Sequence, residues 1–304
     1  MPSRQINLAR LAHFVTVADA GSMTLAATEL HLTQQAISTS IRQLERELGV
    51  ALFDRVGRRL ELTPAGIALR AGATTLLSAA RSLAGAAADA ARETPRPYVV
   101  AHTPAITSDE VFLLLAPIRE ALPGLPIEVH QTYPKILHAG LLDTTFDLGL
   151  RRGVVPPTDL AGAVVSYDPL NIAVVVEHPL AARNAVAMSD LASHPLTVWA
   201  PPGSSFYTDY LLSVCRRAGF EPSVHVNHIQ GTTPATAVIG TDTFAFVTQE
   251  TGITLGGRVA IVAISDAPLA PVQALWLPHT HAQPLEALLR GTVERRPAPL
   301  SHQN

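Results

Sequence analysis

Residues 33–48, TQQAISTSIRQLEREL, decide the reading of this chain. Ile37, Ile41, Leu44 and Leu48 recur at intervals of four, three and four, the spacing of one apolar stripe on an α-helix. Thr33 offers a hydroxyl cap before the stripe, and Gly49 offers a stop behind it. At about 100° per residue, Gln35, Thr39, Arg42 and Arg46 fall on the opposite face, with Ser38 at its edge and Gln34 in the first turn. Amide side chains pair with adenine edges, hydroxyls suit either base pair, and arginine suits guanine or phosphate. Taken alone, such a face is more simply that of a solvated surface helix, so the neighbouring segments decide.

Upstream, residues 8–20 read as a helix with Leu8, Leu11, Val15 and Ala18 on one face, ended by Gly21. Ser22 caps a second helix, 23–31, whose inner face is Met23, Ala26, Ala27 and Leu30. The two alanines allow close helix crossing, and Leu32 leads into Thr33 with almost no loop. Two short helices on a tight turn, the second amphipathic with a polar outer face, predict a helix-turn-helix. In the following VALFDRVGRRLELT, Leu52 and Phe53 suit the core, while Arg55, Arg58 and Arg59 surround Gly57 in a short hairpin, a wing placed to touch phosphates. The candidate DNA contacts are therefore Gln34, Gln35, Ser38, Thr39, Arg42, Arg55 and Arg58, with Ser22 and Thr33 at the helix starts.

The run 22–66, SMTLAATELHLTQQAISTSIRQLERELGVALFDRVGRRLELTPAG, resembles the winged helix-turn-helix of the LysR-type transcriptional regulators. Ala26-Ala27, Leu30, Gln34, Ser38, Ile41, Leu44-Glu45, Leu48-Gly49, Leu52-Phe53, Arg55, Leu62-Thr63 and Gly66 carry the resemblance. Thr39 stands where many members of that family have a basic residue.

The chain has 304 residues, 47% hydrophobic and 15% charged, enough for two or three domains and a sizeable core. Its net charge is −3, and residues 1–62 balance seven arginines against six carboxylates. That argues for local, oriented nucleic-acid contacts, and for more than one copy acting together, rather than for a broad basic surface. Cys215 is the only cysteine, which excludes an intrachain disulfide and a multi-cysteine metal site; it reads as a small core residue. No signal-peptide core and no apolar run of membrane-spanning length are present, and a soluble, cytoplasmic protein is expected.

Thr63-Pro64 starts a long helix expected to reach about residue 92. Leu69, Ala73, Leu76, Ala80, Leu83, Ala87 and Ala90 recur with gaps of 4, 3, 4, 3, 4 and 3, a heptad seam that predicts a dimerising rod. Beyond it, strands are expected at 98–101, 127–131 and 146–150, with helices at 107–118, carrying Phe112, Leu115 and Ile118, and at 137–142. A second set follows with strands at 170–177, 196–200, 223–228 and 244–247, and a helix at 207–218. Strands alternating with helices predict a parallel sheet in each half. FDLGL at 146–150, HPLA at 178–181, DLASHPL at 190–196 and RRAGFEP at 216–222 resemble the effector domain of the same family. The resemblance implies an α/β, periplasmic-binding-protein-like fold of two lobes joined near 166–169 and 265–268. The expected division is 1–62 for a winged helix-turn-helix, 63–94 for a linker helix, and 95–304 for an effector domain. Within that domain, lobe I comprises 97–166 and 269–297, and lobe II comprises 167–268.

The cleft of such a fold gathers strand ends and helix starts, where free N–H groups favour anions. His102-Thr103, Gly203-Ser204-Ser205 and Thr232 qualify, with Gln131 and His228 at or near strand ends. Serine and threonine also favour these places simply as caps. Together they suit a small polar or anionic effector, with no other cofactor. Arg151-Arg152 could meet an anion, but read more simply as a solvated loop. Neither the pair His225/His228 nor the pair His279/His281 has acidic or cysteine company for a metal. No phosphate loop, nucleophile elbow or paired-carboxylate motif is present. The reading that follows is a ligand-responsive regulator of double-stranded DNA. In the family it resembles, the usual assembly is a dimer of dimers on an inverted-repeat operator. The alternative is a small-molecule binding protein or enzyme with a helical oligomerisation arm.

Overall fold

Three helices at the N-terminal end are each set by their caps. In α1 (Leu8–Ala20) the Asn7 side chain accepts from Arg10 N–H at 3.1 Å, and Gly21 closes the helix at φ 60°. In α2 (Met23–Glu29) Ser22 Oγ accepts from Leu25 N–H, and in α3 (Gln34–Leu48) Thr33 Oγ1 accepts from Ala36 N–H at 3.2 Å. Gly49 ends α3 at φ 73°, a left-handed turn that glycine adopts without strain. A two-stranded hairpin follows, β1 (Phe53–Val56) against β2 (Arg59–Leu62), and then the rod α4 (Pro64–Ala90). The computed structural model describes residues 6–56, 59–91, 96–229, 232–278, 280 and 282–294, so Gly57 and Arg58 of the hairpin turn lie outside the described residues. The chain divides near residue 92 into two compact units.

The stripe on α3 buries Ile37, Ile41 and Leu44, with Leu48 half-buried. The inner face of α1 differs from expectation. Leu11, Phe14 and Val17 are buried, whereas Leu8 is exposed and Val15 and Ala18 are only partly covered. The larger Phe14 sets this rotation by packing against Phe53, ring centroids 5.4 Å apart. Helix α2 stops two residues before the expected end, because His31 turns the chain at φ 53°. Further contacts hold the hairpin against the helices. Glu45 Oε1 accepts from Leu52 N–H at 2.8 Å. A Cβ on Gly66 would lie 2.2 Å from Leu52 O, so only glycine allows α4 to start this close. Along α4 the heptad seam divides: Ala73 is buried and Leu69 partly buried in the unit's own core beside Leu77, while Leu76 and Leu83 are 45% and 73% exposed.

The second unit opens with β3 (Tyr98–His102), α5 (Ser108–Leu114), α6 (Ala116–Ala121), β4 (Ile127–Gln131), α7 (Pro134–Leu142) and β5 (Leu148–Arg152). It continues with β6 (Ala161–Pro169), β7 (Asn171–Val175), β8 (Ala185–Val186), β9 (Leu196–Val198), α8 (Phe206–Arg217) and β10 (Val224–Val226). It ends with β11 (Ala245–Val247), β12 (Gly252–Thr254), β13 (Val259–Ile264), β14 (Leu269–Trp276) and α9 (Gln283–Glu294). One sheet runs β4-β3-β5-β14-β6, with β3 parallel to β4 and β5, and β14 antiparallel to β5 and β6. A second runs β11-β7-β13-β12 and is antiparallel throughout that path, not parallel as expected. The parallel pairs here are the short β9–β10 and β8–β13. The reason is connectivity: β7 enters from β6 of the first sheet, and β13 leaves towards β14, so the two lie side by side in opposite directions.

The expected helix 107–118 is two helices, with Pro117 in the first turn of the second. Its apolar face is Val111, Leu114, Leu115 and Ile118; Phe112 is 59% exposed and lies under the Arg119 guanidinium at 3.7 Å. Cys215 is fully buried, and burial pushes its thiol up to about 12. No helix among the described residues is long and apolar enough to cross a membrane.

Candidate nucleic-acid interface and ligand cavity

In the first unit, the outer face of α3 presents Gln34, Gln35, Thr39, Arg42 and Arg46 to solvent, with Ser38 half-buried. Their ends are uncommitted. Arg42 Nε donates to Ser38 O at 3.2 Å and Arg46 Nε to Arg42 O at 3.3 Å, one helical turn back, which extends both guanidinium groups along the helix. Gln34, Gln35 and Thr39 have no hydrogen-bond partner among the described residues. Thr33 and Ser22 are already engaged as caps through their oxygens, which leaves each hydroxyl hydrogen free to donate. Arg55 lies on β1, opposite Leu60, and Arg58 falls outside the described residues. One polar residue of α3 turned inward unforeseen: Ser40 is buried and its Oγ meets His13 Nδ1 at 2.8 Å.

In the second unit, a cavity of about 730 Å³ opens at the C-terminal ends of β3 and β5 and the N-terminal end of α8. That is a small-molecule volume. Thr103, Ser204, Ser205 and Thr232 of the expected set line it together. The other four do not. His102 is 3% exposed, and its Nδ1 is occupied by the carbonyls of Thr103 and Ile106 at 3.2 and 3.1 Å, so it braces its own loop. Burial holds its imidazole below the usual value. Gly203 turns the chain at φ 79° and donates its N–H to Asp209 Oδ1. Gln131 ends the edge strand β4, and His228 is exposed; both lie off the cavity wall. Among the described residues no three His, Cys, Asp or Glu side chains converge; His279 and His281 lie outside them.

The residues that dominate the wall were not singled out from the sequence. Arg151 and Arg152 are not a solvated loop but the end of β5. Successive strand residues face opposite ways, so the pair diverges. Arg151 sits across from Gln273 on β14, and its Nε donates to Gln273 Oε1 at 3.0 Å while Nη2 donates to Val155 O at 2.7 Å. Arg152 is 3% exposed. Its Nε donates to Ala105 O, Nη1 to Asp168 Oδ2 and Ala270 O, and Nη2 to Glu110 Oε1 and Thr248 Oγ1. One side chain thus ties β5 to β6 and β14 of its own sheet, to the start of α5, and to the residue after β11 of the second sheet. Glu110 takes part twice, since its Oε2 accepts from Thr107 N–H at 2.6 Å in the capping box of α5. The remaining wall is largely aromatic and aliphatic, with Tyr133, Ile136, Trp199, Phe206, Tyr207 and Leu211. The rule that ligands meet strand C-termini would have drawn attention to Arg151, and the end of LTVWA to Trp199.

Comparison with known proteins places both units. Residues 8–67 match the family model of the bacterial regulatory helix-turn-helix protein, lysR family, and residues 92–297 match that of the LysR substrate binding domain. The chain is similar to the HTH-type transcriptional regulator AlsR of Bacillus subtilis, 28% identical over 77% of this chain and 76% of that protein. It is similar to BudR of Raoultella terrigena, 28% identical over 72% of this chain and 76% of that one. Among solved structures, a full-length OxyR variant from Pseudomonas aeruginosa shares the fold with a TM-score of 0.61 at 20% identity, covering 95% of each chain. Full-length CbnR complexed with its target DNA shares it with a TM-score of 0.59 at 22% identity, covering 95% of this chain and 99% of that one.

Proposed function

The chain belongs to the LysR family of bacterial transcriptional regulators, and from that premise we propose how its residues divide the work. Residues 1–62 bind DNA, 63–94 dimerise, and 95–304 bind a small-molecule effector. The observation that carries the DNA reading is the outer face of α3, a row of exposed amide and hydroxyl groups without partners inside the unit, beside two guanidinium groups held only through Nε. The start of α3 enters the major groove, with Gln34, Gln35, Ser38 and Thr39 at base edges or nearby phosphates. Arg42, Arg55 and Arg58, with the free hydroxyl hydrogens of Ser22 and Thr33, bind phosphate. CbnR was crystallised with its target DNA, which supports carrying this arrangement over. On a mapped operator, Arg58→Ala should shallow the log–log salt dependence by about 1 per half-site. An unchanged slope would remove Arg58 from the interface.

Dimers form along the exposed part of α4, through Leu76, Leu83 and Ala87, and two dimers read an inverted repeat. Leu83→Glu should change the stability of the isolated fold by no more than about 0.5 kcal/mol, because the residue is exposed within its own unit. Dimers should nevertheless dissociate in sedimentation; a variant that keeps the wild-type assembly would move the interface elsewhere. The regulator works where the chromosome lies, in the cytoplasm, and needs no cofactor beyond its effector. The effector occupies the 730 Å³ cavity and touches Thr103, Ser204, Ser205 and Thr232. Ligand shifts operator binding only if it prefers one arrangement of the two sheets over the other. Thr103→Val with Ser204→Ala should weaken the response to a verified inducer and leave ligand-free DNA binding unchanged. An unchanged footprint shift at the usual inducer concentration would exclude this cavity as the sensor.

A further inference from the structure

We propose that the cavity selects an amphiphilic monoanion: a flat apolar body of one or two rings bearing one carboxylate, held by Arg151, with an acceptor that meets the indole N–H of Trp199. The inference rests on the reading of this cavity as the effector site and narrows the chemistry of what enters it.

Three observations on the cavity point the same way. The first is charge. Arg151 and Lys135 line the cavity, and no aspartate or glutamate is among the lining side chains. The adjacent Arg152 is ion-paired with Glu110 and Asp168, neither of which lines the cavity, whereas Arg151 makes no ion pair among the described residues. Burial alone pushes the Arg151 guanidinium below its ordinary value, with no carboxylate acting to raise it. A partly desolvated cation without a counter-ion is a place for an anion that arrives from outside.

The second is hydrogen bonding. Trp199 Nε1, on a lining residue, and Gln273 Nε2, behind the wall next to Arg151, are buried donors with no acceptor among the described residues. Gln273 cannot be turned round to solve this, because Arg151 Nε must donate to its oxygen. Gln273 lies against Phe206 and Arg151, all within 3.6 Å of where a Cβ on Gly153 would sit. Arg151 Nη1 is a third donor without a partner among the described residues. The unpartnered polar groups on the lining residues Trp199 and Arg151 are donors, so the partner missing there is an acceptor. The third is the surface of the wall: Trp199, Phe206, Tyr133, Ile136 and Leu211 offer flat and aliphatic faces that a sugar or an amino acid would leave unused. One uncompensated cation inside the wall matches one negative charge, and Lys135 is exposed at the rim.

The test uses the full-length protein and three defined probes by titration calorimetry: 2-naphthoate, the neutral 2-naphthylmethanol with the same body, and succinate, which has charge without the body. Wild type should bind one 2-naphthoate per chain about tenfold or more tighter than either of the others. Arg151→Leu should abolish the preference for the acid over the alcohol, and Arg151→Lys should keep part of it. Trp199→Phe, which keeps the ring and loses the N–H, should weaken 2-naphthoate several-fold. Equal binding of acid and alcohol by wild type, tighter binding of succinate, or no binding of 2-naphthoate at millimolar concentration overturns the proposal, and none of these needs a variant to fold. Gel shifts on the same samples keep the two levels apart. Succinate that binds in the cavity and alters the operator footprint would end this ligand class and leave the regulator reading intact. Binding of 2-naphthoate with the predicted preference supports the cavity chemistry whatever the gel shift shows.

Discussion

The outer face of α3 and the wall of the cavity both carry polar groups that the fold does not use, yet they are built in opposite ways. On α3 the groups come from one run of residues and stand in solvent, so they are free because nothing packs on them. In the cavity they come from segments between Thr103 and Pro234, and Trp199 Nε1 there is unpartnered although buried, with the half-buried Arg151 on the same wall. A surface of the first kind can be altered with little effect on folding. A wall of the second kind is held by its neighbours, above all by Arg152, so there function and stability are entangled.

The sharpest way to break this contrast is at Arg152. Arg152→Met removes the cation between Glu110 and Asp168 and should destabilise the second unit by roughly 3 kcal/mol in urea unfolding, the low end for a buried pair because both carboxylates are partly exposed. A variant of wild-type stability would show that the network is ornamental. The reverse outcome is expected on α3. Gln35→Ala should cost about 1–3 kcal/mol of discrimination between operator and random DNA and leave the melting temperature unmoved. An unchanged ratio of specific to nonspecific affinity would take Gln35 off the base edges. Thr33→Ala falls between the two, because the same hydroxyl caps the helix and faces the groove. It should lose about 1 kcal/mol of stability, measured by thermal unfolding without DNA.

The smallest effect is with pH. Burial lowers the imidazoles of His13, His102 and His178 below their ordinary 6.5. The unfolded chain therefore binds protons that the folded chain refuses, so stability is complete above 6.5 and declines as pH falls through that value. His178 shows why: its Nδ1 accepts from Leu180 N–H, which a protonated ring cannot do. Melting temperatures that hold constant from neutral pH to about 5 would mean that these rings accept the charge in place.

The same contrast explains what could be read from the sequence. The stripe and caps of α3 are periodic and local, so Ile37, Ile41, Leu44, Thr33 and Gly49 were legible at once. The inner face of α1 was misread by one position because Leu8 and Val15 satisfy the helical period as well as Phe14 and Val17 do. Only the contact of Phe14 with Phe53 separates them. In the second unit the hydroxyls at helix starts were legible, and four of the eight expected residues do share the cavity. The rest was hidden because a wall assembled from distant segments has no period. Nothing in the adjacent letters of Arg151-Arg152 tells that one is neutralised and the other is not; that depends on Glu110, Asp168 and Gln273, up to 122 residues away.

Arg152 has one further consequence, for spectroscopy. All five of its N–H bonds have acceptors, drawn from β6, β14, α5, the loop after β3 and the residue after β11. A guanidinium pinned at every hydrogen should rotate slowly about its Cζ–Nε bond and give separate, slowly exchanging Nη proton signals, whereas Arg151, with Nη1 free, should give a broadened average. Of those five bonds, the one to Thr248 Oγ1 reaches the second sheet, and a ligand that changes how the two sheets meet there should loosen it. The Nη signals of a single residue would then report the switch directly, in the absence of DNA and before any inducer has been identified.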